Sequence, residues 1–116
     1  MSTIIATTLS NGSVFVPTAT VVNGSAKAWA ATPGSATILD SLNTSSITDN
    51  GVGDYNFNWS SAMANGNYAV TTSRNWNGVF APDSYSTTTC RSLSREAAGT
   101  TKADSRSHIA IHGDLA

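Results

Sequence analysis

The stretch Asp54-Tyr-Asn-Phe-Asn-Trp59 decides the fold class of this chain. Aromatic side chains occupy every second position, and Asp or Asn fills the positions between them. Because successive side chains of a strand point to opposite faces of a sheet, this alternation predicts a strand with one buried and one polar face. We expect the aromatic face to lie in the core or in a subunit interface.

The composition around this stretch also favours β-structure. Only 11% of the 116 residues are charged, against roughly 25% in ordinary globular domains. Ser, Thr and Asn supply the polarity instead, and these residues suit exposed strand faces and tight turns better than helix surfaces. The 40% share of hydrophobic residues argues against disorder. The length is that of one domain.

Further strands are expected on both sides of the opening stretch. Their predicted ranges are residues 26–30, 36–40, 67–73, 85–93 and 107–112, and a turn at Thr32-Pro-Gly-Ser35 separates the first two. Together with the N-terminal segment they give seven to nine short strands. The prediction is an all-β fold, with residues 26–116 forming an antiparallel β-sandwich or barrel-like module.

Residues 1–25 are predicted to form an extended N-terminal arm. Asn11-Gly12 lies between the apolar-rich runs 3–10 and 13–16, which is a strong hairpin signal, and residues 18–22 are expected to be extended. The segment has little capacity for a core of its own, so it is interpreted as an anchor that docks by strand addition or intertwining. The predicted anchor residues are Ile4, Ile5, Leu9, Val14, Phe15 and Val16.

Charge and cysteine use exclude several functional classes. Six basic and seven acidic residues form no run, so no basic stripe predicts a nucleic-acid partner. No apolar run approaches the roughly 20 residues of a membrane span, and the N-terminus does not resemble a secretory signal. Cys90 is the single cysteine and closes no intrachain disulfide. These features predict production in a reducing cytosol.

Two patterns raise a metal hypothesis, each with a simpler alternative. His108 and His112 would share a helix face, but the Ile-Ala-Ile between them indicates a strand, where they would lie about 13 Å apart. Equivalent histidines of several chains could still meet around an axis. Asp49-Asn-Gly-Val-Gly-Asp54 is rich in oxygen ligands but lacks the spacing of a dedicated calcium loop, so a tight turn is favoured.

No recognisable catalytic motif is present. The seven acidic residues stand in no nucleophile–base pattern, and Cys90 is expected to be a buried or neutral thiol. The chain is therefore predicted to be non-enzymatic, with no cofactor and no metal. Trp76, among the loop-forming residues Arg74-Asn-Trp-Asn-Gly78, is the predicted exposed contact aromatic, with Arg74 beside it.

Five segments resemble a family of tailed-bacteriophage virion proteins, the short fibre-like and tail-fibre-tip modules of phages of marine and freshwater bacteria. They are Ala26-Lys-Ala-Trp29, Ile38-Leu-Asp-Ser-Leu-Asn43, Ser45-Ser-Ile-Thr-Asp-Asn-Gly-Val-Gly-Asp-Tyr55, Ala62-Met-Ala-Asn-Gly-Asn-Tyr-Ala69 and Ile109-Ala-Ile-His-Gly-Asp114. The resemblance covers residues 27–114 and is weakest over residues 74–106. It implies a virion location, a β-rich fold and a homotrimer, and it transfers no catalytic residue.

The expected function is that of a virion structural protein made in the host bacterial cytoplasm. A capsid-surface decoration (cement) protein or short head fibre, bound to the major capsid protein or another virion protein, is the leading hypothesis. A tail-fibre or receptor-binding tip that contacts host surface glycans is the second. A secreted carbohydrate-binding domain of cellular origin is the third, and the lack of a recognisable secretory signal counts against it.

Overall fold

The computed structural model describes residues 2–98 and 101–116. Within them the chain forms ten strands and one short helix. Their bounds are β1 Thr8–Ser10, β2 Phe15–Pro17, α1 Thr18–Gly24, β3 Ala28–Thr32, β4 Asp40–Leu42, β5 Thr44–Gly51, β6 Asp54–Trp59, β7 Ala69–Arg74, β8 Gly78–Tyr85, β9 Thr89–Glu96 and β10 Ser107–His112. The predicted all-β class is confirmed.

Eight of these strands form two four-stranded antiparallel sheets. The first has the order β4-β3-β10-β7, and the second has the order β5-β6-β9-β8. Strands β1 and β2 pair only with each other, in the N-terminal segment. The total of ten exceeds the predicted seven to nine, because Thr44–Gly51 forms β5, which was not predicted, and the stretch from Gly78 to Glu96 contains two strands.

The core lies between the two four-stranded sheets. The aromatic residues of β6 all point into it, and Phe57 is completely buried, as the alternation predicts. The Phe57 ring meets Phe80 edge to face, with ring centroids 6.1 Å apart. From the other sheet, Ile109 and Ile111 pack into the same cluster. Full burial of one such side chain stabilises the fold by about 1.5–3 kcal/mol.

The turn before β6 requires glycine. Gly53 has a φ of +62°, in the left-handed region that residues with a Cβ adopt at a cost. A Cβ at Gly53 would also collide with the carbonyl oxygen of Ser94 and lie 2.8 Å from the backbone nitrogen of Ala103. Two neighbouring backbones therefore approach this turn closely, which fixes β6 against the chain that follows β9.

The prediction of an extended stretch at residues 18–22 is wrong, because Thr18–Gly24 is a helix. Its last turn is capped by the chain that follows: Ser25 donates its backbone N–H to the Val21 carbonyl, and the Lys27 ammonium donates to the Val22 carbonyl. These bonds satisfy carbonyls that a helix end leaves free. The β-propensity of Thr and Val is overridden here.

Two predicted strand ranges also need correction. Residues 36–39 lie outside any strand, and only Asp40 of the predicted range is paired, as the first residue of the three-residue strand β4. Residues 85–93 contain a turn, because the Ser86 hydroxyl accepts the backbone N–H groups of Thr88 and Thr89. Such local bonds compete with the strand ladder, so β8 ends at Tyr85 and β9 begins at Thr89.

Candidate functional site

The described part of the predicted arm, residues 2–25, contains the β1–β2 hairpin and α1. Asn11-Gly12 makes the predicted turn: Gly12 has a φ of +96°, and the Asn11 side-chain oxygen accepts the backbone N–H groups of Ser13 and Val14. The Thr18 hydroxyl closes the base of the hairpin through a 2.7 Å bond to the Ala6 carbonyl. Met1 lies outside the described residues.

The apolar side chains of this arm face solvent. Ile4 and Ile5 are 91% and 94% exposed, and Phe15 is 70% exposed. Leu9 and Val14 are exposed as well, while Val16 is half-buried. No residue of the described arm is buried. An apolar surface of this kind on an otherwise polar chain is typical of an interaction site.

The arm also carries no charged side chain. The first ionisable side chain of the whole sequence is Lys27, so residues 1–26 contain no Asp, Glu, Lys, Arg or His. Binding this surface to another protein would therefore desolvate no charged side chain, a step that is costly unless the charge is paired. The structure makes the predicted anchor residues accessible, and their role in attachment stays a prediction.

The two predicted contact residues near the β7–β8 connection have different environments. Trp76 projects from the loop and is 74% exposed. The Arg74 guanidinium instead donates to the Ser105 hydroxyl and to the Arg95 carbonyl oxygen. Arg74 therefore ties β7 to the end of β9 and to the segment before β10. Trp76 is the member of the pair that is free to meet another molecule.

A groove of about 680 Å³ opens beside Trp76 at this end of the sandwich. Arg74, Glu96, Asp104 and Arg106 are the ionisable residues that line it. The Asp104 carboxylate is held in place, because it accepts the Gly53 backbone N–H at 2.7 Å and the Tyr55 hydroxyl. Sequence reasoning missed this groove, since its residues come from separate parts of the chain.

The Asp104 contact explains the state of the Tyr55 side chain. Burial of the phenol and its hydrogen bond to the Asp104 carboxylate both raise the pKa of Tyr55 above its usual value. The hydroxyl is therefore protonated at neutral pH, and it also lies 3.0 Å from the Gly34 carbonyl oxygen. Tyr55, which the alternation predicted to be a core residue, therefore also holds the groove residue Asp104 in position.

An ion cluster, formed by Asp54, Asp83, Arg91 and Lys102, lies on the outer face of the sheet that contains β6 and β9. The Arg91 guanidinium donates to both carboxylate oxygens of Asp54, at 2.8 and 2.6 Å, and Lys102 lies 2.5 Å from the same carboxylate. Arg91 also reaches Asp83 at 3.2 Å. The bond to Arg91, opposed by burial and reinforced by Lys102, holds the pKa of Asp54 well below its usual range.

This cluster bears on the calcium hypothesis for residues 49–54. The Asp54 carboxylate is 5% exposed and is occupied by two cationic side chains. Asp49, at the other end, accepts the backbone N–H of Gly51 and shapes a bulge in the β5–β6 pairing. Both carboxylates thus have structural partners, in agreement with the turn interpretation.

The remaining candidate residues lie apart from the arm and from the groove beside Trp76. Cys90 is completely buried, and burial raises the pKa of its thiol to about 11. His108 and His112 lie on β10, on the face opposite the buried Ile109 and Ile111.

Among the residues that the structure describes, no three His, Cys, Asp or Glu side chains form a group able to hold a metal ion. None of the described helices has the length and apolar character of a membrane span.

The chain is thus a small antiparallel β-sandwich with two exposed candidate surfaces, the apolar N-terminal arm, which has no charged side chain, and the groove beside Trp76. No family of known proteins, no curated protein and no solved structure matches the chain.

Proposed function

We propose that this chain is a non-enzymatic structural protein of a tailed-phage particle, and that it decorates the capsid surface as a cement protein or short head fibre. The observation that carries the proposal is the arm, whose apolar side chains are exposed and which lacks charged side chains. The resemblance of residues 27–114 to phage fibre-like modules supplies the virion context. The sandwich would project from the capsid while the arm attaches to it.

The energetics of the arm favour attachment in several copies. Burial of Ile4, Ile5 and Phe15 would each contribute about 1.5–3 kcal/mol. Association of one chain costs at least about 4 kcal/mol in lost translational and rotational freedom. One arm therefore gives modest affinity, whereas three arms held together in a homotrimer bind with high effective concentration. The chain would associate with two further copies of itself, and the resulting homotrimer would bind the major capsid protein.

The polar part of the molecule fits a scaffold role. Asp54 and Cys90, two residues that a catalytic hypothesis would consider first, are engaged in an ion cluster and in the core respectively. The outer face of β5 and β6 is a ladder of amide and hydroxyl groups, in which the Asn58 amide donates to Ser46 and Thr48. Such a face remains hydrated on the outside of a particle.

Two linked experiments test the proposal. Antibodies against the chain, used to label intact virions in electron microscopy, should decorate the head. Label on the tail tip would favour the receptor-binding alternative, and absence of label from particles would contradict the virion assignment.

The second experiment tests the arm. Val14 and Val52 are both 60% exposed, one on the arm and one in the β5–β6 turn. Val14→Ser should lower binding to capsids stripped of the protein by at least roughly 5–30-fold, since each arm loses about 1–2 kcal/mol of apolar burial. Val52→Ser should bind like the wild type. Equal binding by both variants would refute the anchor.

A further inference from the structure

We propose that the groove beside Trp76 is a binding site for a neutral oligosaccharide, with the Trp76 indole stacked on one sugar ring. The site is separate from the arm, so it goes beyond the proposed function and does not depend on it. The groove volume of about 680 Å³ lies within the range of about 300–1,000 Å³ that is typical of ligand sites.

The aromatic residue has the exposure that stacking needs. Trp76 is 74% exposed although it is the largest side chain type, and it lies in a loop between two asparagines, Asn75 and Asn77. A hexose has an apolar face of C–H groups and a rim of hydroxyls. An indole can stack on the apolar C–H face, while asparagine amides can donate hydrogen bonds to the hydroxyls and accept hydrogen bonds from them.

The charges of the groove select against an ionic ligand. Its lining contains two cations, Arg74 and Arg106, and two carboxylates, Glu96 and Asp104. A balanced set of this kind offers both charged donors and charged acceptors, which suits hydroxyl groups because each hydroxyl can donate and accept. Since the two cations offset the two carboxylates, a phosphorylated or sulfated ligand would gain no net electrostatic attraction from the groove.

Part of the polar rim is already ordered without a ligand. Asp104 is fixed by Tyr55 and by the Gly53 backbone, and Arg74 is fixed by Ser105. Tyr55 and Ser105 are themselves 3% and 9% exposed. Groups held by buried partners lose little freedom on binding, which favours recognition of a flexible, weakly binding molecule such as a saccharide.

Nuclear magnetic resonance of the full ¹⁵N-labelled chain provides the test, because its three tryptophans give separate indole N–H signals. The probes are maltotetraose, cellotetraose, mannotetraose and tetra-N-acetylchitotetraose at millimolar concentration. At least one probe should shift the Trp76 indole signal and leave those of Trp29 and Trp59 in place. Trp76→Ala should weaken that binding about tenfold or more, measured on the backbone amide signals of the groove residues because the variant lacks the Trp76 indole.

The control variant is Tyr85→Ala. Tyr85 is a partly exposed aromatic residue at the opposite end of β8, and its loss should leave saccharide affinity unchanged. The proposal is overturned if none of the four probes shifts Trp76, if Tyr85→Ala weakens binding as much as Trp76→Ala, or if only an anionic saccharide such as heparin binds. Capsid attachment by Trp76→Ala should stay normal, which separates this site from the arm.

Discussion

Replacing Asp54 by Asn removes the carboxylate that joins β6 to β9 and to the segment that follows it. Asp54 accepts two hydrogen bonds from Arg91 and lies 2.5 Å from Lys102. Hydrogen bonds to charged groups contribute about 1.5–3 kcal/mol each when buried. The Arg91 and Lys102 side chains are 40% and 39% exposed, so water replaces part of what they lose. We expect Asp54→Asn to lower the free energy of unfolding by about 1–3 kcal/mol.

Urea denaturation followed by tryptophan fluorescence at pH 7 measures this loss, and Asp49→Asn is the matched control. Asp49 belongs to the same hairpin, and its carboxylate accepts the backbone N–H of Gly51. Its replacement should change the free energy of unfolding by no more than about 0.5 kcal/mol. Equal effects of the two substitutions would refute the role assigned to the ion cluster.

The difference in stability between the wild-type chain and Asp54→Asn should depend on pH, and the direction of the change follows from the pKa of Asp54. The folded-state pKa of Asp54 is depressed by Arg91, so its stabilising effect is complete only well above the unfolded value of about 4. As the pH falls below about 5, the unfolded chain takes up the proton first, and the stabilisation is lost. The stability difference between wild type and Asp54→Asn should therefore narrow from pH 7 to pH 3. A constant or growing difference would contradict the assignment.

Two further predictions concern the core and the turn. Gly53→Ala should destabilise the chain by more than about 2 kcal/mol in urea denaturation, and by more than Gly51→Ala, because both have positive φ but only Gly53 faces close backbone neighbours. The Cys90 thiol, with its pKa raised to about 11, should react with a disulfide reagent at pH 8.5 more than about 100-fold slower in the native chain than in urea. Fast native labelling would show that Cys90 is not in the core.

Local patterns were sufficient to predict several elements. Strand β6 follows from alternation alone, and its aromatic residues are buried as predicted. The predicted range 107–112 is the range of β10, whose Ile109 and Ile111 share the core face. The turn predicted at Asn11-Gly12 is present, with the positive φ at Gly12 and the Asn11 side chain bonded to the backbone of the loop. Each of these signals is complete within a few consecutive residues.

Features that depend on distant partners could not be predicted. Asp54 meets residues 37 and 48 positions away, and Tyr55 meets Asp104 across 49 positions. Both contacts form only when the sheets assemble. The helix at Thr18–Gly24 was also missed, and its terminal carbonyls are bonded by Ser25 and Lys27, which lie just beyond it. The groove beside Trp76 was beyond prediction for the same reason, although the exposure of Trp76 was expected from its loop neighbours.

The number of copies bound per capsid tests the arm most directly. Capsids stripped of the protein would be saturated with the full chain or with a chain that lacks residues 1–22. Every buried residue that the structure describes lies at Ala28 or beyond, so the shortened chain should keep its sandwich, which circular dichroism can verify. We expect the full chain to restore the native copy number and the shortened chain not to attach. Full occupancy by a folded, shortened chain would contradict it.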